Sequence, residues 1–563
     1  MGSAHSTQHT HIHETSLGKL KGIEARDSSG KPIYHRYAKV PYALPPVGSR
    51  RWRHPQPLPV DFSFSDSNGQ PGDYTAFGPI CPQPVYGHSA AVLANPDAIP
   101  KIQNEQSEDC LYLNIFVPAG KPPPGGWAVQ FYIHGGWLQV GHAMQGHDLD
   151  PIDLLRESTP RIICSPTYRL NLFGFLGGSE LASLKEDPSP SNFGLWDQRA
   201  ALEFVHRHIA HFGGNPSNIS CGGLSAGANS TFFQLYHDIH LPPSQRIIKR
   251  VYLWSNAVAI QPASTTSTQL TTQFNELCTV NSISPTLPIR EKLSRLRAIP
   301  AADLNASITR LKQHTFRSST DDAFIPSTFL HSLHSGHFTT LLAKHNISVL
   351  LGECAHEAEL YKLVNPPSDY PGLLVQLANY YPKPVYEAML PHFNVPPKDS
   401  KDVAAWQDVF AQMTGAGQVH IPERGLTHLL LHPPSSPGVA ALPPQNLHRY
   451  RIEWRAKGMD AWVQPQLGVC HGADTPIWWC SGWRAGYDET DRRNVLEFIR
   501  PFGEFLEGRD VAWGSKKGDQ ERRIRVFGKD GRTMEDVEDG NWERWMPVWE
   551  SIWESQRQEV ARL

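Results

Sequence analysis

Short apolar runs alternate with longer helical or irregular stretches along this chain. Runs at 129–133, 162–164, 219–221, 251–254, 349–351 and 450–454 read as sheet strands. That alternation predicts an α/β fold with a large, mostly parallel central sheet flanked by helices. Two long segments, about 262–345 and 362–445, are helix-rich insertions. They contain an amphipathic run at 287–300 and a proline-rich run at 432–445. Insertions between strands that carry chemistry tend to cover the site, so a lid and gorge wall are expected there. Near the C-terminus, Trp542, Trp545, Trp549 and Trp553 recur at spacings of three and four on a final helix. Such a stripe predicts core packing or a partner face.

One strand-to-helix boundary carries a chemical motif. Ile219 and Cys221 alternate in a short apolar strand, and a helical pattern with Phe232, Phe233 and Leu235 follows. Between them stands the pentapeptide GLSAG, residues 223–227. G-x-S-x-G in that setting is a nucleophile elbow, a sharp turn that strains the serine backbone and presents its oxygen above a sheet. An elbow serine needs a base, and the base needs an acid to orient it; in elbow hydrolases the order is serine, acid, histidine. Glu357 follows the strand at 349–351, and His471 lies in a glycine-flanked turn after the strand at 450–454. Both groups can therefore converge at one edge of the sheet. Glu353 and His356 are equally polar and suit surface turn positions. Asp474 competes as the acid, but it follows the histidine and reads as a supporting group behind the site. The segment HGGW, residues 134–137, follows the strand at 129–133. It is the loop expected to aim backbone N–H groups at a developing oxyanion, together with the N–H of Ala226.

With these motifs in hand, the chain resembles the type-B carboxylesterases of the α/β-hydrolase fold, fungal-type members included. SEDCLYLNIFVP, residues 107–118, is nearly a verbatim match to a signature of that family. TSLGKLKG, AKVPYALPPVGSRRWRHPQP, YIHGGW, PTYRLNLFGFL and the long block ending in GLSAG follow in the family's order. The resemblance runs from about residue 15 to the last helix, which implies one domain over 15–563. It implies a serine carboxylic-ester hydrolase acting on a small-molecule ester, with Ser225 as nucleophile, Glu357 as acid and His471 as base. It places the oxyanion donors at Gly136, Trp137 and Ala226. It also implies buried ion pairs Arg51–Glu108 and Arg169–Asp197, and a disulfide between Cys81 and Cys110. An acyltransferase or lactonase could reuse the same triad. A non-catalytic binding protein of this fold is the third reading, although such relatives typically lose the serine that this chain keeps.

The chain departs from the family at three points. Trp137 stands where a third glycine is usual, Leu224 precedes the serine in place of glutamate, and Ala358 replaces the glycine after the acid. The pocket beside the nucleophile should be less acidic than in a cholinesterase. No tryptophan lies between Cys81 and Cys110, where cholinesterases carry a choline-binding indole, so a cation site of that kind is not expected.

Composition narrows the partners. A net charge of −3 from 52 basic and 55 acidic residues, with no basic stripe, gives no footprint for nucleic acid. No apolar run reaches the roughly 18 residues that cross a bilayer. Besides Cys81 and Cys110, the six cysteines Cys164, Cys221, Cys278, Cys354, Cys470 and Cys480 match no pair, which fits a reducing compartment. The N-terminal segment shows no apolar core of a signal peptide, so a cytoplasmic protein is expected, or a secreted one if a leader was removed. His5, His9, His11 and His13 form a small cluster that could bind a metal, but a flexible polar tail over residues 1–14, with no fixed geometry, is the expected reading. No C-x-x-C or H-E-x-x-H spacing occurs, and no metal or cofactor is expected.

Overall fold

The computed structural model describes residues 7–85, 105–144, 149–461, 463–484, 486–511, 513 and 520–560. The first strands are β1 (Thr7–Thr15), β2 (Gly18–Arg26), β3 (Pro32–Pro41) and the two-residue β4 (Gly72–Asp73). Next come β5 (Tyr112–Pro118), β6 (Trp127–Ile133), β7 (Ile162–Pro166), β8 (Gly214–Leu224), β9 (Ile248–Trp254) and β10 (Ser348–Cys354). The series closes with β11 (Leu447–Ile452), β12 (Arg523–Phe527) and β13 (Thr533–Glu538). All join one 13-stranded sheet in the order β1-β2-β3-β5-β7-β6-β8-β9-β10-β11-β12-β13, with β4 beside β2. From β7 to β12 in that order every pairing is parallel. Along that order the pairings from β1 to β7 and the last pair are antiparallel, while β4 pairs parallel with β2.

The parallel strands are covered on both faces, so they read as continuous apolar runs. All five residues of β7 are buried, as are six of the seven in β10. Two apolar cores lie against the sheet, and the helices Phe193–His208 and Ala226–His240 carry part of one of them. The wing is different. Buried and half-buried positions mix along β2, and the apolar signal there is weak.

The N-terminal segment departs from expectation. Residues 7–14 were expected in a flexible tail, yet they lie in β1, paired with β2 from Thr7 opposite Arg26 to Thr15 opposite Gly18. Two of its histidines make ring contacts: the His13 ring stacks on Phe212 with centroids 5.4 Å apart, and the His11 ring on His35 at 3.8 Å. His5 lies outside the described residues.

Both insertions are helical. The first holds Thr268–Val280, Ile289–Ala298, Ala301–Ile308, Phe329–His334 and His337–Lys344. The second holds Tyr370–Ala378, Lys383–Met389, Val403–Gly415 and Ile421–Leu431, the last two joined by a π-helical turn, Ala416–His420. The two ion pairs are present. Arg51 donates to Glu108 at 2.6 and 2.5 Å and also holds the carbonyls of Leu296, Arg297 and Ile299. Arg169 donates twice to the fully buried Asp197, each at 2.7 Å. The tryptophan stripe, on Trp542–Val560, packs inward: Trp545 stacks on His420, and His334 stacks on both Trp549 and Trp553. Of the two readings of that stripe, core packing is the one the fold adopts.

Candidate active site

Ser225 sits between β8 and the helix Ala226–His240, with φ 59° and ψ −124°. An L-residue at positive φ is strained, and the surrounding packing holds it there. Its N–H donates to Trp254 O on β9 at 2.8 Å. Gly223 and Gly227 make room for this turn, since a Cβ on either would stand 2.2 or 2.0 Å from Ile133 O on β6. The elbow therefore depends on close approach of three backbone segments.

Glu357 follows β10 at the start of a one-turn helix, Ala358–Tyr361. It is fully buried, and its Oε1 accepts the Cys354 N–H at 2.7 Å. His471 lies in the turn after Cys470. His356 ties the two turns together: its N–H donates to Val469 O, and its Nδ1 accepts the Val469 N–H, both at 3.0 Å. The His471 ring thus spans both partners, with Nδ1 2.5 Å from Glu357 Oε2 and Nε2 2.7 Å from Ser225 Oγ. Three groups separated by more than a hundred positions in the chain make one hydrogen-bonded row.

The loop 134–137 lies alongside. His134 is fully buried, stacks on Tyr168 at 4.4 Å, and is pushed down to about 3 by burial, so it stays neutral. Gly136 has φ 106°, and a Cβ there would stand 1.9 Å from Val140 O. Trp137 and Leu138 continue with φ 58° and 66°. Trp137 thus keeps a glycine-like backbone despite its indole, at a cost of about 1–2 kcal/mol. Among the described residues, the N–H groups of Gly136 and Ala226 donate to no protein acceptor.

The sequence profile of the Carboxylesterase family matches residues 9–492. The chain belongs to the carboxylesterase family. This carboxylesterase is similar to an uncharacterized esterase/lipase of Schizosaccharomyces pombe, 38% identical over 548 residues that cover 95% of each chain. It is 36% identical over 549 residues to a carboxylic ester hydrolase of Gibberella moniliformis, again covering 95% of each chain. It also resembles the para-nitrobenzyl esterase of Bacillus subtilis, 31% identical over 319 residues and 56% of each chain. It is a carboxylic ester hydrolase of α/β-hydrolase fold.

Two cavities border Ser225 in the carboxylesterase. One, about 1070 Å³ counted with its space open to solvent, lies under the insertions and is lined by Phe233, Asn256, Arg317, Tyr380 and Gln418 among others. The other, about 770 Å³ on the same measure, is lined by Leu224, Leu149, His471 and the loop of Gly135 and Gly136. Trp137 and Ser225 border both. Among the described residues, neither lining includes Asp or Glu. Most of the wall under the insertions escaped the sequence reading, because it comes largely from connections within and just before the first insertion and within the second.

Two acids end up in unequal places. Asp474 is fully buried, with Oδ2 accepting the Trp478 indole N–H at 2.9 Å, and it makes no hydrogen bond to His471. Burial, then the charge of Glu357, pushes its carboxyl up to about 6. Glu353, expected at a surface turn, is buried in an ion network. Arg424 donates to its two oxygens at 2.9 and 3.0 Å, and His420 Nδ1 stands 2.5 Å from Oε2. Arg424 and Arg449 then share Asp539, at 2.8 and 2.6 Å. Burial, then the charge of Glu353, raises Glu423 in this network to about 8. With Glu423 protonated at neutral pH, two guanidiniums face two carboxylates. No spacing in the chain announces this arrangement, because its members come from β10, β11, the second insertion and the segment after β13.

The cysteines differ from the family pattern. All eight are buried thiols, and Cys81 and Cys110 share a hydrogen bond in place of the implied disulfide. Among the described residues no helix is long and apolar enough to cross a membrane.

Proposed function

We propose that this hydrolase cleaves small-molecule carboxylic esters through an acyl-enzyme on Ser225. His471 Nε2 takes the Ser225 Oγ proton as Oγ bonds to the ester carbonyl carbon. The carbonyl oxygen becomes an oxyanion, stabilised by the N–H groups of Gly136, Trp137 and Ala226. His471 then returns the proton to the alcohol oxygen as the C–O bond breaks. Water repeats the cycle against the acyl-enzyme, restoring Ser225. Glu357 keeps the proton of His471 on Nδ1 and balances the imidazolium formed twice per turnover.

The observation that carries this reading is the continuous row from Ser225 Oγ through His471 to Glu357, at 2.7 and 2.5 Å. The experiment is Ser225→Ala assayed on a small aryl ester. Turnover should fall by several orders of magnitude with the circular dichroism spectrum unchanged. A rate within about tenfold of wild type would remove Ser225 from the mechanism.

A further inference from the structure

The antiparallel wing gathers donor groups on strands that carry none of the three triad side chains. Across it, His9 of β1 stands opposite Glu24 of β2, and Glu24 stands opposite His35 of β3. Alternate residues of a strand share a face, so His11 projects beside them. The His11 and His35 rings stack with centroids 3.8 Å apart and planes 4° from parallel. Glu24 Oε2 lies 3.1 Å from His35 Nε2, while Arg26 Nε donates to Oε1 at 2.7 Å. One ligand atom from each of His11, Glu24 and His35 lies within 4.8 Å of the other two.

We propose that His11, Glu24 and His35 form a binding site for a zinc-class divalent cation, which fastens β1 to the two strands behind it.

Two imidazoles and one carboxylate are a donor set that zinc takes readily, with a fourth position left for water or a further ligand. At zinc–ligand distances near 2.1 Å, neighbouring ligand atoms in a tetrahedral site stand about 3.4 Å apart. The His35 and Glu24 atoms, at 3.1 Å, are already close to that spacing. His11 is half-buried, and its ligand atom lies within 4.8 Å of those of Glu24 and His35. Oε2 is the carboxylate oxygen left for the ion, since Arg26 occupies Oε1. His13 is not a ligand, because its Nε2 is bonded to His211 O at 2.7 Å. The exposed His9 is available for the fourth position. A cation here would have a mechanical effect: β1 is the outermost strand, paired on one side only, and the ion would link it to β2 and β3 through side chains.

The test is titration of the full-length, metal-free protein with zinc chloride by calorimetry, with thermal unfolding measured in parallel. Wild type should bind one equivalent at this site and unfold at a higher temperature with zinc. Glu24→Gln and His11→Gln should each weaken that binding at least about tenfold, and the double variant His11→Gln/His35→Gln should lose one equivalent. His13→Gln should bind as wild type does. Hydrolysis of an aryl ester in zinc-free buffer should be unchanged in all four variants, which verifies their fold. The proposal is overturned if wild type binds no zinc, if the double variant keeps the wild-type stoichiometry, or if Glu24→Gln binds with wild-type affinity.

Discussion

Replacing each of three buried acids by its amide separates their roles. Glu357 has one oxygen on the Cys354 N–H and the other 2.5 Å from His471 Nδ1. Glu357→Gln keeps the shape and removes the charge that balances the imidazolium. The same exchange in a serine protease costs about 10⁴ in turnover, or about 5 kcal/mol at 1.36 kcal/mol per tenfold. A loss of about 10³–10⁴ is expected here. Asp474→Asn should act differently. Its carboxyl touches the Trp478 indole and is pushed up to about 6, so at pH 5 it is already mostly protonated and the amide mimics it. Turnover at pH 5 should stay within about tenfold. Glu353→Gln should strike stability: breaking a buried ion pair on one side costs about 3–5 kcal/mol, while turnover per folded molecule stays near wild type. The assay is turnover of an aryl acetate at pH 5, scaled by the folded fraction from a thermal melt. A greater loss in Asp474→Asn than in Glu357→Gln would refute the assignment of the acid. A Glu353→Gln variant with wild-type stability and crippled turnover would refute the structural role of the ion network.

Three further outcomes follow from the same geometry. Asp474 titrates in the folded state at about 6 against an ordinary value of 3.8, so its stabilising contribution is complete below pH 3.8 and is lost as pH rises through about 6. Relative to wild type, Asp474→Asn should therefore gain on the order of 1 kcal/mol between pH 5 and pH 8; equal stability differences at the two pH values would contradict this. Trp137 borders both cavities and crowds the oxyanion loop, so Trp137→Gly should raise hydrolysis of tert-butyl acetate relative to n-butyl acetate, whereas parallel changes would make the indole a packing residue only. Under oxidising conditions, non-reducing peptide mapping should find Cys81 joined to Cys110 and the other six as thiols; a bridge between Cys470 and Cys480 would contradict it.

The parts legible in the sequence share one property: their signal is local. GLSAG, HGGW and the two turns after β10 and β11 each announce themselves within a few residues, and the structure brings their side chains together. The six strands read from apolar runs are all in the parallel part of the sheet, where burial on both faces keeps most positions apolar. The wing hid behind its mixed pattern. In β1 the alternation THIHET was taken for a polar tail, because histidine on a half-buried face looks the same as histidine in solvent. Glu353 was misplaced for a related reason. Its burial is made tolerable by Arg424, His420 and Asp539, and no local window contains those partners. Trp137 was legible as a departure, but its positive φ was not, since only the loop geometry demands it.

Asp539 has a consequence for how the enzyme is made. The family-wide region closes at residue 492, and by then a growing chain already holds Ser225, Glu357 and His471. It does not yet hold the carboxylate shared by Arg424 and Arg449. Without it, Arg424 keeps Glu353 and Glu423 as partners and Arg449 keeps Glu423, and Glu353 stands on the strand that leads into the acid turn. A nascent chain therefore carries all three groups of the row before it can complete the ion network on the strand behind them. A message cut short of that codon should yield a product with an intact triad sequence and a lowered melting temperature, because Arg424 and Arg449 then lack a shared carboxylate. The ion network therefore ties the stability of the strand before the acid turn to residues that enter the chain long after the triad itself.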